Sequence, residues 1–136
     1  MSAAEETLAL HLRAHEITGW EREYRFGAHA CGGPGKGLRK RLAEAGLKDW
    51  RFDFAFPALK VAVEVEGITH FGRTRGGKMA LGRHQSATGI EGDLQKYDAA
   101  MRLGWNVYRC SQHMVRAGHA VETIKILIEQ AGRTNG

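Results

Sequence analysis

The chain has 136 residues, 43% of them hydrophobic and 26% charged, with 20 Lys+Arg against 15 Asp+Glu and a formal net charge of +5. That length suits one domain with a real core, and the positive balance suits a polyanionic partner; a disordered or fibrous chain is excluded. Apolar runs fall short of the roughly 20 residues of a membrane span. The N-terminus lacks the charged-then-apolar order of a secretory signal, and Cys31 and Cys110 make no zinc pattern, so a cytoplasmic protein with reduced thiols and no membrane partner is expected.

Ser2 with Glu5 three residues on reads as a capping box opening a first helix to about His15, and Gly19 ends the segment. Glu21 to Phe26 predicts a first strand. Gly27 to Gly37 is a glycine-rich loop holding His29 and Cys31, and Leu38 to Ala45 a short basic helix stopped by Gly46. Next, Phe52, Phe54 and Phe56 alternate with Arg51, Asp53 and Ala55, while Val61, Val63 and Val65 alternate with Ala62, Glu64 and Glu66. Both halves carry the period-two pattern of strands with one apolar and one polar face. The loop Gly67 to Gly89 follows, with Arg73, Arg75, Lys78 and Arg83 and no acidic residue. Ile90, Leu94, Tyr97 and Met101 mark the apolar face of a second main helix, closed by Gly104. Trp105 to Cys110 predicts a fourth strand, with Ser111 beginning its exit. A last helix runs from about Gly118 to Gln130, with Val121, Ile124 and Ile128 on its buried side. The order predicts a single α/β domain over residues 1–136: a mixed four-stranded sheet, three antiparallel strands plus a crossover strand, flanked by helices.

The hairpin carries the chemistry. With Pro57 to Lys60 as the turn, Phe56 pairs with Val61 and Phe54 with Val63, which sets Asp53 opposite Glu64. Directly opposed side chains have Cβ atoms about 5 Å apart, and like charges there are destabilising. Such a pair calls for a divalent cation between the carboxylates or a raised pKa on one of them. The plainer alternative is a solvated strand edge on which Arg51 opposes Glu66 as a surface ion pair. The loop cations Arg73, Arg75, Lys78 and Arg83 lie among glycines that let them follow a phosphate backbone, and Leu38-Arg-Lys-Arg-Leu42 is a second basic cluster. Tyr24, Trp50 and Trp105 read as core residues.

Helix, three antiparallel strands, helix and strand, together with Ala4-Glu5, Leu8, Leu12 and Arg13, Asp53-Phe54, Glu64-Val-Glu-Gly67 with His70, Asp93 with Lys96, and Gly104-Trp105 with Val107 and Arg109, resemble the PD-(D/E)XK nuclease superfamily. Within it the chain is similar to the small very-short-patch-repair-like endonucleases of phages and mobile elements. The resemblance implies a restriction-endonuclease-like fold and an Mg2+-dependent DNA endonuclease, with Mn2+ as an alternative ion, in a bacterial or phage-infected cell. It implies Asp53 and Glu64 as metal ligands, the Val65 carbonyl as a third, and hydrolysis by metal-activated water. Where the family most often has lysine, this chain has Glu66, a further ligand or an orienter of the attacking water. Lys96 is the candidate for the missing charge, Glu5 faces the site, and His70 is a general base or phosphate contact. His84, Arg73, Arg75, Lys78 and Arg83 would bind DNA. Two alternatives stand beside this one. One is a nuclease-fold protein that binds DNA without cutting it. The other, a zinc-histidine nuclease on His70 and His84, lacks the usual asparagine and ligand spacing. The sequence leaves the oligomeric state open, a homodimer included.

Overall fold

A computed structural model describes residues 2–67 and 87–135. Its elements are α1 (Ala3–Ala14), β1 (Glu21–Tyr24), α2 (Phe26–Ala30), α3 (Leu38–Ala45), β2 (Phe52–Phe56), β3 (Val61–Glu66), α4 (Ala87–Arg102), β4 (Asn106–Ser111), α5 (Gln112–Arg116) and α6 (His119–Asn135). The strands form one sheet in the order β1-β2-β3-β4. β1 and β2 are antiparallel, as are β2 and β3, and α4 carries the chain across to β4, which runs parallel to β3. The expected mixed α/β sheet is present, and no helix among the described residues is long and apolar enough to cross a membrane.

Helices cover both faces. On one, Leu8 and Leu12 of α1, Val115 of α5, and Val121 and Ile124 of α6 bury Phe54, Phe56, Val61 and Val63. On the other, Phe26 of α2 and Ala100 of α4 pack with Phe52, Ala55, Ala62 and Trp105, and Tyr24 and Trp50 lean against them. The expectation that Tyr24, Trp50 and Trp105 serve the core holds.

Three expectations change. The first strand stops at Tyr24, and residues expected in the strand and glycine loop form α2. Arg41, expected in a basic cluster for phosphate, turns inward instead. Its guanidinium donates to the carbonyls of Cys31, Gly33 (2.9 Å) and Lys36 (3.1 Å), and so shapes the glycine loop. Ser111, where the exit from the fourth strand is expected, ends β4 and caps α5, its Oγ accepting the Met114 N–H at 3.1 Å. Finally, α4 turns a different side to the sheet. Ile90, Leu94 and Met101 are exposed (47%, 61% and 77%), while Ala99 and Ala100 are buried. The small side chains of Ala55 and Ala62 let the helix backbone approach, so alanines rather than the bulky residues make the contact.

The start of α2 fixes the edge of the sheet nearest Asp53. A Cβ on Gly27 would lie 2.0 Å from the Lys48 carbonyl oxygen, a backbone atom that cannot swing aside. Gly27→Ala should therefore lower unfolding free energy by about 3 kcal/mol, the upper range for overpacking. Urea denaturation measures it, and a loss below about 1 kcal/mol would show that the α2–β2 junction yields.

Candidate active site

Glu21↔Ala55, Arg22↔Phe54 and Tyr24↔Phe52 set the β1–β2 register; Phe54↔Val63, Ala55↔Ala62 and Phe56↔Val61 set that of β2–β3. Extended by one step, these registers place Glu23 beside Asp53 and Asp53 beside Glu64. Across the parallel pair, Glu64 partners Arg109. A row of three acids and one arginine thus crosses four strands.

The β1–β2 ladder skips that row, and the β2–β3 ladder ends one step short of it. In their place the Asp53 N–H donates to Glu64 Oε2 at 3.0 Å, and the Val65 N–H donates to Asp53 Oδ2 at 2.8 Å. Side-chain carboxylates have taken over backbone hydrogen bonds, which keeps buried N–H groups paired where the strands part. Glu23 sits at φ 50, in the left-handed region that costs a non-glycine residue about 1–2 kcal/mol. The alternation breaks here as well. Phe54 and Phe56 face α1, but Phe52 packs on the α4 side, so the single phenylalanine face expected for β2 does not exist.

The break gives the two central carboxylates unlike neighbours. Asp53 joins Glu5 of α1 and Glu23 of β1, with carboxylate oxygens of all three within 4.8 Å of one another. Among the described residues no ion pair neutralises any of them. Burial, then the charge of Glu64, with smaller contributions from Glu5 and Glu23, push the Asp53 carboxyl up to about 7 against the Val65 N–H that favours its charged form. Glu5 also accepts from the Ser2 hydroxyl at 3.3 Å, while its own N–H caps onto Ser2 Oγ, so the capping and site-facing roles coexist.

Glu64 is the buried charge, 7% exposed, and it is fully partnered. Lys96 Nζ lies 2.5 Å from Oε1, the Tyr97 hydroxyl donates to the same oxygen at 2.9 Å, and Oε2 holds the Asp53 N–H. Burial first, then Glu64, raise the Tyr97 phenol. Lys96 also lies over the Phe52 ring at 5.9 Å. Glu66 pairs with Arg109 at 2.6 Å and not with Arg51, because β4 flanks β3 at this height. Val65 is 7% exposed with its N–H on Asp53. Cys110 beneath the row is pushed up to about 12, by burial first and then Asp53 and Glu66, which leaves an inert thiol.

The structure therefore brings together Glu5, Asp53, Glu64, Val65, Glu66 and Lys96. His70, His84, Arg73, Arg75, Lys78 and Arg83 lie outside the described residues. Sequence reasoning missed Glu23, Tyr97 as a polar partner, and the Glu66–Arg109 pair. The alternating Glu21-Arg-Glu-Tyr24 was the available signal, but a four-residue strand does not declare its register. The oxygen-only cluster of half-buried Glu5 and Asp53 with exposed Glu23, unneutralised among the described residues, fits a hard divalent cation. Glu64, expected as a second ligand, already has Lys96, Tyr97 and the Asp53 N–H on its two oxygens. No protein-family model, no curated protein and no solved structure matches the chain.

Opposite stability effects follow for the two carboxylates. Because the folded Asp53 carboxyl is raised to about 7, the folded protein binds more protons than the unfolded chain from about pH 4 upward. Stability from this group is full below that range and falls as pH rises through 7. Asp53→Asn should remove this fall and match or exceed wild-type stability above pH 7 without metal. Glu64→Gln leaves Lys96 half-buried without its partner and should lower stability by a few kcal/mol. Denaturant melts at pH 5 and 8 measure both; equal effects of the two substitutions would contradict these environments.

Proposed function

We propose that the chain is a divalent-metal-dependent endonuclease of the PD-(D/E)XK type that hydrolyses phosphodiester bonds of DNA. The observation that carries this reading is Lys96, delivered by α4 to within 2.5 Å of Glu64 beside the Glu5–Glu23–Asp53 cluster. A cation next to clustered carboxylates, where two strands part, joins metal-binding and phosphate-facing charge in one place. The sheet order, with an α4 crossover to a parallel β4, is compatible with a restriction-endonuclease-like fold.

Glu5, Glu23 and Asp53 would hold the ion, Mg2+ or Mn2+. When bound, it supplies charge to offset that developing on the phosphate and lowers the pKa of water. Lys96 stands in for the lysine absent at Glu66. Its ammonium, oriented by Glu64 and seated over the Phe52 ring, offsets charge on the phosphate. Glu66, held on one oxygen by Arg109, has its other oxygen to accept a hydrogen bond from an attacking water. The surplus of five positive charges favours association with DNA, and the reading places the protein in the cytoplasm. The runner-up, a DNA-binding protein that does not cut, is favoured by the saturation of Glu64, whose oxygens are all engaged within the protein.

Plasmid nicking with Mg2+ or Mn2+ separates the two. Wild type should nick, and Asp53→Ala should abolish nicking while retaining DNA binding. Lys96→Met should lower the single-turnover rate by about 100-fold, the order of one lost electrostatic contact in a transition state. Lys96→Arg keeps the charge with another geometry and should recover part of that loss. DNA binding without nicking by either ion would select the runner-up; neither binding nor nicking would remove both.

A further inference from the structure

We infer that Arg109 is a phosphate-binding residue of this site, contacting a nucleic-acid phosphate beside the one that Lys96 faces. The inference rests on the proposed DNA substrate but concerns a residue to which that proposal gives no contact with DNA. Three constraints fix the Arg109 side chain. Its backbone partners Glu64 across β3–β4, so the two residues occupy neighbouring positions about 4.8 Å apart on the sheet. Its Nε donates to Glu66 Oε1 at 2.6 Å. Its guanidinium lies 4.6 Å from the centre of the Tyr97 ring, the ring whose hydroxyl holds Glu64.

A guanidinium has five N–H donors in a rigid fork. Among the described residues the Arg109 hydrogen bond uses Nε alone, and the side chain is 50% exposed. Neither Nη has a hydrogen-bond partner among the described residues, on a group already held by a ring and a carboxylate. A floppy surface arginine must be ordered when it binds an anion; this one is ordered beforehand, which lowers the entropy lost on binding. Its single carboxylate partner is itself 35% exposed at the side chain, so the pair is not a buried structural bridge. Glu66 and Asp93 both add negative charge near it and raise the guanidinium pKa, and an arginine in that setting stays charged throughout the working range. Tyr97 links the two cations: Arg109 stacks on its ring and Lys96 lies 5.5 Å from the ring centre. A phosphate is a monoanion whose oxygens accept paired N–H donors, which a guanidinium held beside Lys96 on the same ring can supply.

The test compares duplex-DNA affinity across a salt series for wild type, Arg109→Gln, Arg109→Lys, Glu66→Gln and Arg102→Gln. Arg102 pairs with Asp98 in the last turn of α4, 81% exposed, and controls for loss of charge alone. Arg109→Gln should weaken binding to all sequences alike and flatten the slope of log K against log salt by about 0.9, one phosphate contact. Arg109→Lys should restore part of the affinity, and Arg102→Gln should leave the slope unchanged. Glu66→Gln should strengthen binding, whereas a merely structural pair would weaken it from either side. An unchanged slope in Arg109→Gln, or equal losses from Arg109→Gln and Glu66→Gln, would overturn the inference. If wild type binds no duplex, the proposed nuclease falls, and inorganic phosphate decides Arg109 separately. A phosphate-dependent shift of its Nε–H signal in NMR, absent for Glu66-distal Arg102, supports the site; no shift removes it.

Discussion

Like charge placed across adjacent strands is the constraint from which the site is built. Glu23, Asp53 and Glu64 occupy neighbouring positions on three strands, where opposed carboxylates repel. The fold answers that repulsion by interrupting the β1–β2 ladder and ending the β2–β3 ladder at this row, pairing the freed N–H groups with carboxylates, and drawing Lys96 onto the most buried acid. The left-handed turn at Glu23 and the crossing of Phe52 to the other face belong to the same accommodation. Neutralisation stops halfway. Glu64 is compensated, and among the described residues the cluster around Asp53 is not.

Much of this was legible in the residues, and what was not has a physical reason in each case. The period-two pattern from Phe52 to Glu66 gave both strands and their register, because the turn Pro57 to Lys60 leaves few ways to pair Phe56 with Val61. Lys96 was identifiable as a cation one helix away from the acids. Glu23 was not: β1 is four residues long, exposed and half-buried by turns, and its register depends on tertiary contacts. The bulky stripe of α4 misled because hydrophobic periodicity reports amphipathicity without saying how closely a helix can approach. Ala99 and Ala100 carry little apolar signal, yet small residues on both sides decide the contact.

The acidic residue at position 66 reads differently once Arg109 is in view. A lysine on β3 would place its charge on the strand itself; here the strand carries Glu66, while cations arrive from α4 and β4. Positive charge is thus contributed by the two elements on the far side of the crossover, and the carboxylates by α1 and the antiparallel strands. Each of the two cations is tied to a β3 carboxylate, Lys96 to Glu64 and Arg109 to Glu66, so the acidic and basic halves of the arrangement are coupled pair by pair.

The alanine contact of α4 has a consequence for how the molecule breathes. With Ile90, Leu94 and Met101 turned outward, α4 rests on the sheet through Ala99, Ala100 and the contacts of Lys96 and Tyr97 with Glu64. In native-state hydrogen exchange, such an element opens as a unit at a free energy well below that of global unfolding. Each opening of α4 carries off Lys96 and Tyr97 together and strands Glu64 as a lone buried acid beside Asp53. The cation-and-carboxylate arrangement thus requires α4 on the sheet, while the pairing of β1, β2 and β3 does not.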